Sequence, residues 1–350
     1  MFFNHKLYKD DIHSTALIPI INWDLFRDKS VLITGATGLI GTFLIDLLMY
    51  RNLNYNNNIS VFAVSRNKEK ANIRFNDYLD SNLFNIIQSN LQNHFDFNKH
   101  IDFIIHGASN THPILYSTEP INTILLSIQG TKTILDFASA NNVKRILFLS
   151  TVEIYGENKG DIEAFNEEYC GYINCNTLRA GYTEGKRAAE ALCQAFIKEK
   201  NLDIVIGRCS RVYGPTLLSD DSKAISQFIK NAVNNENIVL KSKGTQQFSY
   251  AYVADVCSAL LFILLNGEKS NAYNITNSNE NITLFEIAIL LSEYNKKNII
   301  FEEPANTEAA GFSTATKALL DCEKLFKLGW QPKYSLKDGL IRTIEILRDK

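Results

Sequence analysis

Tyr182 and Lys186 lie four residues apart in the run Tyr182-Thr183-Glu184-Gly185-Lys186. On a helix that spacing puts both side chains on one face. A phenol, with an ordinary pKa of about 10, is a poor acid–base group at neutral pH. An ammonium beside it stabilises the phenolate and lowers that value. Tyr182 can then take the proton of an alcohol while hydride leaves the same carbon for a nicotinamide. Lys186 would also hydrogen-bond the nicotinamide ribose. Such pairs arise by chance on surface helices, so a second signal is needed. Ser150-Thr151 supplies it, closing an apolar run, Arg145 to Ser150, that reads as a strand. Sites in α/β folds form at strand C-termini. Thr151 is the hydroxyl expected to hold the reacting oxygen beside Tyr182, and Ser150 a structural strand-end residue.

A hydride acceptor needs a place to bind. Thr34-Gly35-Ala36-Thr37-Gly38-Leu39-Ile40-Gly41 carries glycines at GxxGxxG spacing. A tight strand-to-helix turn needs glycine where a Cβ would clash. The N–H groups of Thr37, Gly38, Leu39 and Ile40 would then face a pyrophosphate, helped by the helix dipole. Gly41 would let the helix pack close to the sheet. A second strand ends in Val64-Ser65-Arg66. An acid at that point suits the ribose of NAD and an arginine suits the 2′-phosphate of NADP. Ser65 and Arg66 lean to NADP on charge, while a solvated strand-end arginine is equally consistent, so NAD and NADP both stay open.

Positioning these groups requires alternating elements. Val31 to Thr34, Ser60 to Val64, Asp102 to His106, Arg145 to Ser150 and Asp203 to Gly207 read as buried strands. Leu39 to Tyr50, Ile121 to Ala140 and Arg179 to Lys200 have helical spacing between them. That alternation predicts an α/β Rossmann fold, a doubly wound parallel sheet with a smaller C-terminal substrate-binding lobe. The expected divisions are a polar and aromatic extension over 1–29, with one short helix near Trp23 to Arg27, a dinucleotide-binding domain over 30–210 carrying the catalytic helix, and a substrate lobe over 211–350 interleaved with the sheet. A last helix is expected from Leu336 to Leu347.

The bulk properties exclude other classes. In 350 residues the formal net charge is -2, which leaves no basic excess for a nucleic-acid backbone. The longest apolar run, Ala259 to Leu265, is far short of the ~20 residues that span a bilayer. Nothing at the start resembles a signal peptide, so a cytoplasmic protein without nucleic-acid or membrane partners is expected. Cys170 and Cys175 have no histidine near them in sequence, so no metal site is expected.

The motifs also occur in a known order. The glycine turn, His106-Gly107-Ala108-Ser109, Ser150-Thr151-Val152-Glu153-Ile154-Tyr155-Gly156, Tyr182 with Lys186, Tyr213-Gly214-Pro215, Tyr252-Val253-Ala254-Asp255 and Leu328-Gly329-Trp330-Gln331-Pro332 together resemble the extended short-chain dehydrogenases, the NAD-dependent epimerase/dehydratase family. The likeness runs over roughly residues 30 to 345. Within the family, Arg179 to Arg187 and the loop from Ala108-Ser109 to Pro120 are most similar to the UDP-glucuronate decarboxylases. The resemblance implies a nucleotide-diphosphate sugar substrate, oxidation at sugar carbon 4, and a homodimer built on a four-helix bundle, consistent with Ile124, Leu125, Ala188 and Leu192. It implies Thr151, Glu153, Tyr182 and Lys186 as catalytic residues. It places Asn90 and Ala108 at the cofactor, and Ser109, Arg211 and Tyr250 at the substrate.

Several positions depart from the family. Val152 stands where sugar 4,6-dehydratases often carry an aspartate that protonates the leaving hydroxyl, although serine also occurs there. Phe248 stands where the family usually has an arginine, and Arg211 where it usually has asparagine. Arg211 would then supply the cation lost at Phe248, binding a diphosphate or a carboxylate through its fork; a structural ion pair is the alternative. Glu153 either takes the proton at sugar carbon 5 or orders the strand-end loop. Tyr250 and Tyr252 are pocket-lining or core aromatics, His106 is structural rather than catalytic, and His112 is less constrained. These departures favour 4-epimerisation or simple 4-dehydrogenation, with decarboxylation close behind. Two other readings are a non-catalytic NAD(P)-binding sensor and a reductase of small carbonyls.

Overall fold

The computed structural model describes residues 3, 5–111, 113–278, 282–305, 309, 312–313 and 315–349. Strands β1 (Ser30–Thr34), β2 (Ser60–Ser65), β3 (Phe84–Gln88), β4 (Phe103–His106), β5 (Arg145–Thr151) and β6 (Ile204–Cys209) alternate with helices. The helices are α1 (Lys6–Ala16), α2 (Leu39–Tyr55), α3 (Lys68–Arg74), α4 (Pro113–Thr118), α5 (Pro120–Ala140) and α6 (Ala180–Lys200). Beyond them come β7 (Arg211–Tyr213), α7 (Ala224–Val233), β8 (Ile238–Leu240), β9 (Gln247–Phe248), β10 (Tyr250–Tyr252), α8 (Val253–Asn266) and β11 (Ala272–Ile275). Seven parallel strands form the main sheet in the order β11-β6-β5-β4-β1-β2-β3. This is the Rossmann-type α/β fold that the sequence predicts.

Alternation along each strand sends successive side chains to opposite faces. Val31 and Ile33 of β1 join the core with α2 and α8, where Phe43, Leu44, Leu260 and Ile263 are buried. Leu32 joins the opposite core with Ile134 and Leu135 of α5 and Ala189 and Cys193 of α6. The apolar run from Ala259 to Leu265 sits in α8 under the sheet, and among the described residues no helix is long and apolar enough to cross a membrane.

The first thirty residues hold more structure than the expected short helix. The turn Trp23–Phe26 is present, but α1 precedes it. Tyr8, Asp11, Ile12, Thr15 and Ala16 are its buried stripe. Asp11 and Thr15 in that stripe break the apolar pattern, which hid the helix. Asp11 is buried because Tyr252 donates to it at 2.6 Å and Arg342 at 2.7 Å, tying α1 to the C-terminal helix Leu336–Arg348.

Order between β1 and β4 depends on Asp102. Its carboxylate accepts from the backbone N–H and hydroxyl of Ser30 at 2.9 and 3.0 Å, and pairs with Lys144 at 2.8 Å. Burial alone would raise this carboxyl, yet the Lys144 and Ser30 hydrogen bonds outweigh it and hold the group down at about 2. A depressed carboxylate contributes stability above its ordinary value of 3.8, and that contribution is lost as pH falls through 3.8 toward about 2. Asp102→Ala is expected to cost about 2–3 kcal/mol at neutral pH. It should also flatten the pH dependence of stability in that acid window, as read by denaturant titration. An unchanged acid limb would remove Asp102 as its source.

Candidate active site

One cleft of about 860 Å³ lies outside the carboxyl ends of the parallel strands, where the chain order reverses between β1 and β4. The turn after β1 lines it with Gly35, Thr37, Gly38, Leu39, Ile40 and Gly41. Gly35 has φ 70°, and a Cβ there would stand 2.7 Å from the Gly107 carbonyl oxygen. At Gly41 a Cβ would stand 2.4 Å from the Gly35 carbonyl. Glycine therefore lets the turn fold back on itself and against the loop after β4. Gly38 caps α2 without any side-chain hydrogen bond, so the first N–H groups of this long helix remain for a ligand. The cradle fits a pyrophosphate.

Ser65, Arg66, Asn67 and Lys70 line the end of the cleft beyond β2, and none of them is an acid. The Ser65 hydroxyl is spent on the Asn67 carbonyl at 3.0 Å. Asn90 is exposed, with its side-chain oxygen accepting from the Gln92 N–H, while its neighbours Ser89 and Leu91 line the cleft. Ala108 and Ser109 line it after β4, with the Ser109 hydroxyl donating to the Asn110 carbonyl at 3.4 Å.

Thr151, Tyr182 and Lys186 converge on this cleft from β5 and one face of α6. Tyr182 and Lys186 are both buried. Tyr182 hydrogen-bonds Thr151, and its ring stacks on Tyr116 with centroids 4.7 Å apart. The expectation that Lys186 lowers the phenol is not met in the chain by itself. Burial pushes Tyr182 up to about 12, against the Thr151 hydrogen bond. The Lys186 ammonium instead donates to the Leu149 carbonyl at 2.8 Å and lies over the Phe148 ring. Burial pulls it down to about 8.

Glu153 follows on the short turn Val152–Tyr155. Its two oxygens pair with Arg179 at 2.8 Å and Arg211 at 3.2 Å. Burial raises the Glu153 carboxyl, but the two guanidiniums outweigh it and hold the group below its ordinary range. Arg211 also lies over the Phe248 ring, its Cζ 3.4 Å from the centroid. So the unusual cation and the unusual aromatic are direct partners. Tyr250, buried, is the register partner of Arg211 across β10 and β7. Tyr252 lies away from the cleft and serves α1. His106 is neutral, because burial pulls it down to about 3, and its ring bonds Thr34 at 2.7 Å and Thr131 at 3.2 Å. His112 lies outside the described residues. Ser150 is buried at the strand end.

Two further members of the site, Arg179 and Tyr116, had no assigned role in the sequence reading. Arg179 precedes Tyr182 by three residues, which puts it on the same helical face; that spacing was the available signal. Tyr116 comes from α4, and nothing in its sequence context marks it.

A family model for the NAD dependent epimerase/dehydratase family matches residues 31–276. The chain belongs to this family. Among curated relatives, the UDP-glucuronic acid decarboxylase 6 of Arabidopsis thaliana is 31% identical over 92% of this chain and 90% of its own length. A dTDP-glucose 4,6-dehydratase of Bacillus anthracis, solved with NAD, superposes with a TM-score of 0.75 at 21% identity, covering 92% of this chain and 97% of its own. The UDP-glucuronic acid 4-epimerase of Bacillus cereus, solved with UDP-glucuronic acid and NAD, gives 0.75 at 20% identity, covering 91% and 99%. Membership makes this chain an NAD-dependent, nucleotide-sugar-modifying enzyme of the epimerase/dehydratase kind.

Proposed function

We propose that this enzyme oxidises carbon 4 of a UDP-linked uronic acid and that the sugar then loses its carboxyl group as carbon dioxide. The observation that carries the reading is the bonded pair Thr151–Tyr182, set beside buried Lys186 in the same cleft as the glycine turn. The cofactor, held along that turn, supplies the hydride acceptor. Thr151 orients the sugar hydroxyl and Tyr182 receives its proton. Lys186 offsets the charge that the phenolate gains. A ketone at carbon 4 stands β to the carboxyl on carbon 5, so carbon dioxide leaves without a strong base. The electron pair of the broken bond, held as an enolate, takes a proton at carbon 5. Return of hydride from the reduced cofactor to carbon 4, with the proton from Tyr182, would restore the alcohol and the oxidised cofactor. Glu153, pinned between two arginines, is suited to setting Arg211 rather than taking the carbon 5 proton. Val152 offers no proton to a leaving hydroxyl, which weighs against water loss.

The similarity to decarboxylases moves this outcome ahead of the sequence-based preference. Epimerisation or release of a 4-ketone is the second reading, favoured by Phe248 in place of the family arginine. On either reading we place the protein in the cytoplasm as a homodimer through α5 and α6, where Ile121 and Leu125 are exposed.

The test is incubation with UDP-glucuronate, and with UDP-, GDP-, dTDP- and CDP-hexoses, plus NAD or NADP. Loss of carbon dioxide by product mass, with no net cofactor reduction, supports the proposal. An isobaric product resolved by NMR, or stoichiometric reduced cofactor, moves the assignment to the second reading. No change across the panel sinks oxidation at carbon 4. With Arg66 and Lys70 and no acid at the β2 end, NADP is expected to bind as well as NAD; an NADP that does not bind at all would overturn that expectation.

A further inference from the structure

Arg211 does not use its whole guanidinium within the chain. One terminal nitrogen, Nη2, reaches Glu153, and the planar face rests on Phe248. The other, Nη1, is buried and finds no hydrogen-bond partner among the described residues. The Tyr250 hydroxyl is in the same condition. Buried donors without partners are few in folded proteins. Here two of them lie on adjacent strands in register, β7 and β10, and both residues line the cleft.

The electrostatics fix the sign of the missing group. Arg211 shares Glu153 with Arg179 and keeps its cationic Nη1 edge unused among the described residues. Burial keeps the Tyr250 phenol protonated, so it donates. The ligand must therefore be an acceptor and an anion. Its place in the cleft follows from the chain. Glu153 donates its backbone N–H to the Thr151 hydroxyl at 3.3 Å, and Thr151 bonds Tyr182. The unpartnered pair thus lies toward the Thr151–Tyr182 end of the cleft, where the proposed oxidation would take place. A carboxylate on carbon 5 is one carbon removed from carbon 4. It is planar, with two oxygens, and matches a guanidinium edge and a phenol.

We infer that Arg211 and Tyr250 form a receptor for the sugar carboxylate, with Phe248 holding the guanidinium plane and Glu153 its orientation. This rests on the uronic-acid substrate proposed above, and makes these two residues the determinants that select a uronic acid over the neutral sugar.

Binding separates the two ideas from turnover. The holoenzyme with bound cofactor is titrated by calorimetry with UDP-glucuronate, UDP-glucose and UDP. Wild type is expected to prefer UDP-glucuronate. Arg211→Gln is expected to weaken UDP-glucuronate by about ten- to a hundredfold, leaving UDP unchanged. Tyr250→Phe removes one hydroxyl without touching the ion pairs, and is expected to weaken UDP-glucuronate by about three- to tenfold. Equal wild-type affinity for UDP-glucuronate and UDP-glucose overturns the receptor. So does an Arg211→Gln defect that is as large for UDP, which assigns the pair to the diphosphate. If Arg211→Gln does not fold, the Tyr250→Phe result decides on the same criteria. A wild type that prefers UDP-glucuronate but does not turn it over keeps the receptor and sinks the proposed reaction. A wild type that binds none of the three sinks both.

Discussion

Tyr182→Phe is expected to lower turnover by about 10²- to 10⁴-fold while the cofactor still binds. The change deletes one oxygen and keeps the ring on Tyr116, so the packing of α6 against α4 survives. Thr151 loses its partner, but its hydroxyl still accepts from the Glu153 N–H. What is lost is the phenol that bonds the strand-end threonine. In the chain alone burial holds this phenol up at about 12, so it resists giving up its proton. The reaction therefore depends on positive charge brought near it, and the oxidised nicotinamide carries one. Rates are expected to fall as pH rises through about 8, where Lys186 loses its charge. The measurements are kcat for the preferred sugar and cofactor affinity by fluorescence. A phenylalanine variant that retains most of the wild-type turnover would assign proton transfer to another group.

Much of the central sheet was legible because its strands are buried on both faces and read as continuous apolar runs. β1, β2, β4, β5 and β6 fall where short apolar runs predict them. β3, Phe84–Gln88, was not picked out; it is an edge strand whose residues are mostly half-buried. Helix α1 was hidden by Asp11 and Thr15, polar residues made compatible with burial by partners far away in sequence. No local pattern can report a bond to Tyr252 or Arg342.

At the site, types and spacing marked the glycine turn, Thr151, Tyr182 and Lys186, because chemistry constrains them locally. The ionic arrangement was not legible in the same way. Glu153 could be a base or a structural acid from its position alone. Only the fold shows both oxygens taken by arginines, one from the start of α6 and one from β7. Likewise Phe248 and Arg211 each look like an isolated departure in the sequence. In space they are one stacked unit, so a change at either position is expected to be felt at the other. The protonation of Lys186 also depended on structure: four-residue spacing suggests an ammonium serving Tyr182, whereas its bond is to the Leu149 carbonyl.

Gly41→Val is expected to abolish measurable cofactor binding and to destabilise the fold by at least about 1–3 kcal/mol. The reason lies in what a Cβ would meet. It would stand 2.4 Å from the Gly35 carbonyl and 2.9 Å from both the Cα and the carbonyl oxygen of Ala36. All of these are backbone atoms, so no rotamer relieves the overlap. Either α2 moves away from the turn or the turn opens, and both displace the N–H groups that would face the pyrophosphate. The neighbouring Gly38→Ala is the internal control. Its Cβ would meet a single atom, the Gly35 carbonyl oxygen, at 3.2 Å, a contact that a shift of a few tenths of an ångström removes. Gly38→Ala should thus retain folding and weakened binding, while Gly41→Val retains neither. Thermal unfolding and cofactor titration of the two variants side by side read the difference. Equal cofactor affinity in Gly41→Val and wild type would show that α2 does not hold the pyrophosphate at its N-terminus, and the cofactor would have to be placed elsewhere in the cleft.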